Sequence, residues 1–513
     1  MQLRTFDRPS ARSATLLLFG LALTHVVLHL LTNGNYGIFR DELYYIACSD
    51  HLAWGYVDHP PLSIAALAVT RRVLGESFYA VRIPLALAGG FALFLSGRLA
   101  RRFGGGPAAQ WIAGLAYLAA PVPLVMFGFF SMNGFDLLFW IVCSLIAARL
   151  LAGGDERLWV ALGVTVGLGL LNKYSVGFFA FAFIVGVLLT PERRRLWSFW
   201  PLIGGAVAGV IFLPHILWEI TNGLPSLEFI RTAQAEKIMP MSPLQFVGAQ
   251  VIEGNPFLAP IWVIGLGGLL LSRALRLYRA LGWTYLVLLL LFIVQQGKPY
   301  YLAPSYPFLL AAGAVMLEQW TAAWSIARVG LACWLVVGSV ALLPMGLPLL
   351  SPPVFLRYAE AIGIKPPSSE RSHATAILPQ HFSDRFGWEN MVRTVADVYN
   401  SLPPPDRARA AILGGNYGEA AAIDYFGPGL GLPKAISGHN NYWIWGYGET
   451  TGDVLVAVGV RRETLDQFCG SVEQVATVIS PYAMPYETNL PVHVCRGLKI
   501  PMAEAWPLLK RYI

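Results

Sequence analysis

The chain has 513 residues, of which 56% are hydrophobic and only 13% charged, against roughly a quarter charged in an ordinary soluble domain, so water is not its main solvent. Its net charge of +7 does not point to nucleic acid, because the arginines stand in short clusters between apolar runs, the pattern that orients helices in a membrane. Five cysteines are too few for a disulfide scaffold.

Residues 1–12 carry Arg4, Arg8 and Arg12 with no evident small-residue cleavage site, which predicts a retained first helix rather than a removed signal peptide. Apolar runs of spanning length then recur. About eleven transmembrane helices are predicted, near 14–33, 79–98, 107–126, 134–150, 158–172, 176–190, 199–218, 258–275, 281–296, 302–317 and 329–350. With that count, the clusters Arg4/Arg8/Arg12, Arg98/Arg101/Arg102, Arg149/Arg157, Arg193/Arg194/Arg195, Arg273/Arg276/Arg279 and Arg328 all face the cytoplasm. The predicted fold is therefore a polytopic α-helical membrane domain over 1–350 in the cytoplasmic (inner) membrane, with a long outer first loop at 34–78. Within that loop Leu62–Leu74 is apolar and ends in Arg71 and Arg72, so it reads as a helix lying in the interface, with a short re-entrant or buried helix as the competing reading.

Pro352, Pro353, Pro366 and Pro367 close the membrane part, and 351–513 reads as an extracytoplasmic α/β domain with strands at 410–413 and 454–458 and a helix at 417–425. The run Gly414, Gly415, Asn416, Tyr417, Gly418 reads as a tight strand-to-helix turn, not a dinucleotide loop, since Lys434 stands where an acid is needed about twenty residues on. Cys469 and Cys495 fall together in this tail. They would bond in an oxidising compartment, and two buried thiols account for them equally well.

The chemistry-bearing residues collect in the loops predicted to face outward. The densest group is Arg40, Asp41, Glu42, Leu43, Tyr44, Tyr45, followed by Gly55, Tyr56, Val57, Asp58, His59, Pro60, Pro61. Adjacent acids and an Asp-His pair at a membrane surface are costly without partners or work to do. Asp136 could act at the site or cap its helix. Lys173 and Lys298 could bind phosphate or snorkel to the interface. His215 and Glu219, four apart on one helix face, suit interfacial hydrogen bonding better than a metal.

The chain has no Asp-x-Asp pair and no P-loop, which argues against a nucleotide-driven reaction. A sugar carried on a lipid phosphate fits better. Asp41 is the candidate proton acceptor with Glu42 beside it. Arg40, His59, Lys173 and Lys298 are candidates to hold the departing phosphate, and Tyr44, Tyr45, Asp58, Asp136, Tyr174, Tyr300 and Tyr301 to line the substrate path.

The segments R-D-E-L-Y-Y, G-Y-V-D-H-P-P-L, G-L-L-N-K-Y-S and K-P-Y-Y-L-A-P-S-Y-P, in this order, resemble the bacterial membrane glycosyltransferases related to protein O-mannosyltransferases and to the aminoarabinose and galacturonic acid transferases of lipid A. The tail segments N-Y-G-E-A-A-A-I-D-Y-F-G-P and S-G-H-N-N-Y-W are similar to one bacterial branch of that family. The resemblance implies a GT-C fold and an inverting transfer from a polyprenyl-phosphate sugar to a lipid, glycan or protein hydroxyl. In it Asp41 matches the first-loop acid and Asp136 the second-loop acid. Where some members carry Lys before the first-loop proline, this chain has His59. Some members also use a divalent metal, for which no ligand set is identifiable here. The alternative function is a transporter or lipid flippase using the same charges as a path, though charges would then be expected nearer the membrane midplane. A third reading makes the tail a glycan- or partner-binding module on a membrane anchor.

Overall fold

The computed structural model describes residues 11–236, 240–364 and 376–513. Arg4, Arg8, Pro366 and Pro367 lie outside the described residues. Helix is found at each of the apolar segments expected to span. Seven described helices are long and apolar enough to cross a membrane: Arg12–Thr32, Phe78–Arg102, Met132–Leu151, Trp200–Thr221, Arg276–Val294, Pro299–Trp320 and Ile326–Gly346. The chain is thus a multi-pass membrane protein.

The other four expected spans are shorter helices, and the one at 107–126 is also broken at a proline. Leu158–Asn172 has 15 residues and Ala259–Leu271 has 13. The run at 107–126 is divided into Pro107–Leu118 and Pro121–Met126. Ser175–Leu188 bends through 116° into Pro191–Trp197. A residue before proline is driven out of the helical region, which explains both the division and the bend.

Two compact units make up the chain. The first comprises Met1–Asn33, Tyr79–Ile216 and Pro240–Leu349, and the second Gly34–Phe78, Leu217–Met239 and Leu350–Ile513. In the first unit, Gly265 of Ala259–Leu271 meets the backbone of Leu309 and Gly313 on Tyr306–Trp320, and Gly163 meets Gly204 on Trp200–Thr221. A methyl group at either position would collide with backbone. Lipid tails are as apolar as leucine, so this close approach of small residues supplies much of the helix association.

The second unit is built on a five-stranded sheet of strands β1 (Ala410–Gly414), β2 (Ala435–Ile436), β3 (Val454–Val458), β4 (Cys469–Val478) and β5 (Leu490–Leu498), in the order β2-β1-β3-β5-β4. β1 runs parallel to β2 and β3, with Ala410 opposite Val454 and Gly414 opposite Val458, while β5 is antiparallel to both β3 and β4. Every residue of β3 is buried, as a central strand covered on both faces requires. One face packs Leu413, Leu455, Leu465, Met502 and Trp506 around the Cys469–Cys495 disulfide, whose Cα atoms are 5.8 Å apart. The helix Tyr417–Phe426 follows β1 through the expected tight turn. Its own Glu419 carboxylate accepts the Gly415 and Asn416 N–H groups, filling the place an anion would take.

The first loop belongs to this second unit. Its helix Arg40–Asp50 packs on Tyr417–Phe426. Leu62–Leu74 is a helix as expected. It buries Ile64, Leu67 and Ala68 and exposes Val69, Val73 and Leu74, and its Arg71 is paired with Asp50 and Glu76 at 2.6 Å each.

Candidate active site

In the second unit, Asp41 stands in the first turn of Arg40–Asp50, where a carboxylate is favoured by the helix dipole. Its Oδ1 accepts the Tyr417 hydroxyl at 2.9 Å and lies 3.7 Å from Arg40 Nε. The adjacent acid is used differently. Glu42 is fully buried and its Oε2 accepts the Phe39 N–H at 2.9 Å, closing the start of the helix.

Arg40, expected among the phosphate-binding cations, is turned inward instead. Its Nη1 donates to Tyr486 at 2.6 Å, its Nη2 lies 3.7 Å from Asp384, and its backbone N–H donates to the Asp384 carbonyl. Asp41 and the buried Asp384 therefore share one guanidinium. Burial raises the Asp384 carboxyl to about 6 even though Arg40 pulls it back. Burial likewise raises the nearby Glu487 to about 8, against the pull of Arg40.

The Asp-His pair is also enclosed. His59, a second expected phosphate cation, is fully buried, with the rings of Tyr44, Tyr45 and Tyr56 at 6.1, 4.6 and 4.9 Å. Its Nδ1 is 3.0 Å from the Pro60 carbonyl and its Nε2 is 3.8 Å from Asp58. Asp58 lies 3.1 Å from the Tyr44 hydroxyl, and burial raises its carboxyl above the usual range, partly offset by His59. Tyr44 and Tyr45 are core residues of the loop, 0% and 3% exposed.

In the first unit a second group forms around Lys173, in the break between Leu158–Asn172 and Ser175–Leu188. Lys173 Nζ donates to Asn133 Oδ1 at 2.6 Å, lies 3.8 Å from Asp136 Oδ2, and sits 5.6 Å from the ring centre of Tyr301. Asp136 also accepts the Ser175 hydroxyl. It does not cap its helix: Ser131 does, accepting the Asn133 N–H. All four residues of the N-K-Y-S motif are engaged, Asn172 with the Met132 carbonyl at 2.9 Å and Tyr174 with His215 Nε2 at 2.7 Å. His215 is thus a hydrogen-bonding partner, and Glu219 accepts the Ser226 hydroxyl at 2.6 Å.

Lys298 precedes a 3-10 turn, Pro299–Ser305, that leads into Tyr306–Trp320. The rings of Tyr300 and Tyr301 are 4.9 Å apart. Tyr300 lines a small, largely apolar cavity of about 30 Å³ with Gln250, Glu253, Trp262 and Tyr306. Among the described residues no three His, Cys, Asp or Glu side chains group as metal ligands.

Sequence reasoning gave no role to Asn133, Ser175, Asp384, Tyr417, Asn441 or Tyr486. Asn133 and Ser175 are polar residues beside apolar spans, a readable signal. Tyr417 and Asn441 stand inside the quoted tail motifs, but nothing in a linear sequence pairs them with the first loop.

Residues 58–218 match the family described as dolichyl-phosphate-mannose-protein mannosyltransferase. The chain is 30% identical over 215 residues to a lipid A galacturonosyltransferase of Rhizobium johnstonii, covering 42% of this chain and 44% of that protein. It is 29% identical over 171 residues to an undecaprenyl phosphate-alpha-4-amino-4-deoxy-L-arabinose arabinosyl transferase of Pseudomonas fluorescens, covering 32% and 30%. The chain thus spans less than half the length of these curated relatives. Its fold is similar to the crystal structure of ArnT from Cupriavidus metallidurans bound to undecaprenyl phosphate, with a TM-score of 0.59 and 18% identity over 94% of this chain and 98% of that one. The resemblance read from the motifs therefore holds: in sequence over residues 58–218, and in fold over nearly the whole chain, this protein is similar to the GT-C membrane glycosyltransferases.

Proposed function

We propose that this protein is an inverting glycosyltransferase that moves a sugar from a polyprenyl-phosphate donor to a hydroxyl of a lipid, glycan or protein acceptor. Similarity to relatives named for galacturonosyl and arabinosyl transfer supports the reaction class. The working location is the outer face of the cytoplasmic membrane. The arginine clusters support that orientation, and the Cys469–Cys495 bond in the tail agrees with an oxidising compartment.

The observation that carries the reading is the contrast among the acids around Arg40. The Asp384 side chain is wholly buried and Glu42, Glu419 and Glu487 are at most 4% exposed, each bound by local donors. The Asp41 side chain is 35% exposed. It is the acid of this group best able to meet an acceptor.

In the reaction, Asp41 accepts the proton of the acceptor hydroxyl as its oxygen attacks the anomeric carbon. The bond from that carbon to the phosphate oxygen breaks, and the electron pair leaves with the polyprenyl phosphate. Charge grows on the phosphate as the sugar becomes oxocarbenium-like. Lys173, held by Asn133, and Lys298 are the cations assigned to that developing charge. Asp136 orients Lys173, while Tyr174, Tyr300 and Tyr301 are assigned to the substrate path. Asp58, Tyr44, Tyr45 and His59 shape the first loop.

The test does not require the sugar to be known. The full chain in proteoliposomes receives the polyprenyl-lipid fraction and the acceptor lipids of cells lacking the protein, and released polyprenyl phosphate is measured by mass spectrometry. Release that depends on the protein, with a matching new glycoconjugate, is the expected result. Identical lipid and glycan profiles with and without the protein would sink the reading.

A further inference from the structure

The two tail motifs have no part in the chemistry above, yet both end on the first loop within the second unit. N-Y-G-E begins the helix Tyr417–Phe426. Tyr417 sends its hydroxyl to Asp41 Oδ1 at 2.9 Å. Its ring lies 4.7 Å from Tyr44 and 4.9 Å from His439, with the Arg40 guanidinium 5.5 Å from its centre. The Tyr417 N–H, one of the orphan donors of a helix start, reaches His439 Nδ1 at 3.3 Å, so both ends of this residue are held. Gly418 lets the helix come this near: a Cβ there would stand 2.6 Å from Arg40 Cγ.

The second motif, S-G-H-N-N-Y-W, supplies His439 and also Asn441. Asn441 Oδ1 accepts the Val57 N–H at 2.7 Å and lies 3.0 Å from the Tyr44 hydroxyl. Both acid-bearing turns of the first loop, at Asp41 and at Asp58, are thereby tied to the tail.

We propose that Tyr417 is a positioning residue for Asp41: its hydroxyl anchors Oδ1 and leaves Oδ2 to take the acceptor's proton, which makes the tail a working part of the transfer machinery. This rests on the reading of Asp41 as proton acceptor. A carboxylate on a helix end has several rotamers, and an anchored one presents a single geometry. Misplacement of a reacting group by about 1 Å can cost on the order of a hundredfold in rate. The Tyr417 phenol suits the task, since burial keeps it protonated and therefore a donor.

The experiment compares Tyr417→Phe with Tyr425→Phe in the full chain. Tyr425 lies on the same helix and also joins the first loop, where its hydroxyl donates to the Glu76 carbonyl at 3.2 Å. Tyr417→Phe is expected to lower the rate of polyprenyl phosphate release about tenfold. Half-saturation by donor and binding of undecaprenyl phosphate should stay within about twofold, and Tyr425→Phe should leave the rate unchanged. Thermal melting gives a second readout that needs no activity: Tyr417→Phe should lower the midpoint in the wild-type background and have no further effect with Asp41→Ala. Wild-type turnover by Tyr417→Phe, an equal loss in Tyr425→Phe, or additive melting effects would each overturn the proposal. If melting effects fail to add but the wild-type chain releases no polyprenyl phosphate, the bond stands while the transferase reading, and the role drawn from it, fall.

Discussion

The two groups of ionisable residues solve opposite problems. Around Arg40 in the second unit, Asp41 and Asp384 share one guanidinium, with Glu487 close enough to be held down by it. Around Lys173 in the first unit, one carboxylate, Asp136, faces one ammonium, and Asn133 and the Tyr301 ring provide neutral company. The first arrangement has acid to spare and suits the capture of a proton. The second matches one ammonium with one buried carboxylate, which holds the cation in place in the membrane part. The difference teaches that a carboxylate left half-exposed among buried acids and one paired singly with an ammonium are distinct electrostatic environments, each legible within its own unit.

The sharpest way to break this comparison is at Asp41. Asp41→Asn keeps the size and a hydrogen-bond acceptor for Tyr417 but cannot take a proton. Turnover should fall by about 10³-fold, as expected for loss of a general base, while undecaprenyl phosphate binds as before. A variant that releases polyprenyl phosphate at the wild-type rate would remove Asp41 from the reaction and leave the acid-rich group without a purpose.

The next effect is on stability, in the first unit. Lys173→Met leaves Asp136, whose side chain is 3% exposed, with the Ser175 hydroxyl but without its cation. Removing one member of a buried pair typically costs about 3–5 kcal/mol, so a large fall in melting temperature is expected. The double change Lys173→Met with Asp136→Leu should recover most of that stability and none of the turnover. If the single variant melts like the wild type, the pair is not the structural unit described here.

How far these groups were legible in the sequence follows from the same contrast. Lys173 sits in a polar break between two apolar runs, and its partners Asn133 and Asp136 open the helix after another such break, so hydropathy alone puts them in the loops on one side. The strands at 410–414 and 454–458 and the Tyr417 helix were readable because short buried β runs and a tight turn have local signatures. Helix was legible at every expected span. Its continuity was not at 107–126, where Pro121 cuts an apolar run that hydropathy joins. The Arg40 group was hidden for a different reason. Asp384 and Glu487 stand 344 and 447 residues from Arg40 in sequence, and no period or spacing encodes such a meeting. A cationic Arg beside a lipid-facing loop reads as a phosphate ligand until its buried acids are seen.

The smallest expected effect tests those buried acids directly. Burial raises the Glu487 carboxyl from the usual 4.5 to about 8, and Asp384 moves the same way to about 6. A carboxyl whose folded value lies above its unfolded one retains a proton that the unfolded chain releases. The stability it contributes is whole below pH 4.5 and is lost as the pH rises through 8. The melting temperature of the wild type, followed from pH 5 to 8, should therefore carry a downward component from this group. Glu487→Gln keeps the acceptor for Asn416, which donates to Glu487 Oε1 at 3.0 Å, and cannot ionise. Its melting temperature should exceed that of the wild type by about 2–4 °C at pH 8, with the gap closing toward pH 5. A gap that is constant with pH would mean that the Arg40 group has cation enough for all its acids, and the contrast between the two units would rest on Asp41 alone.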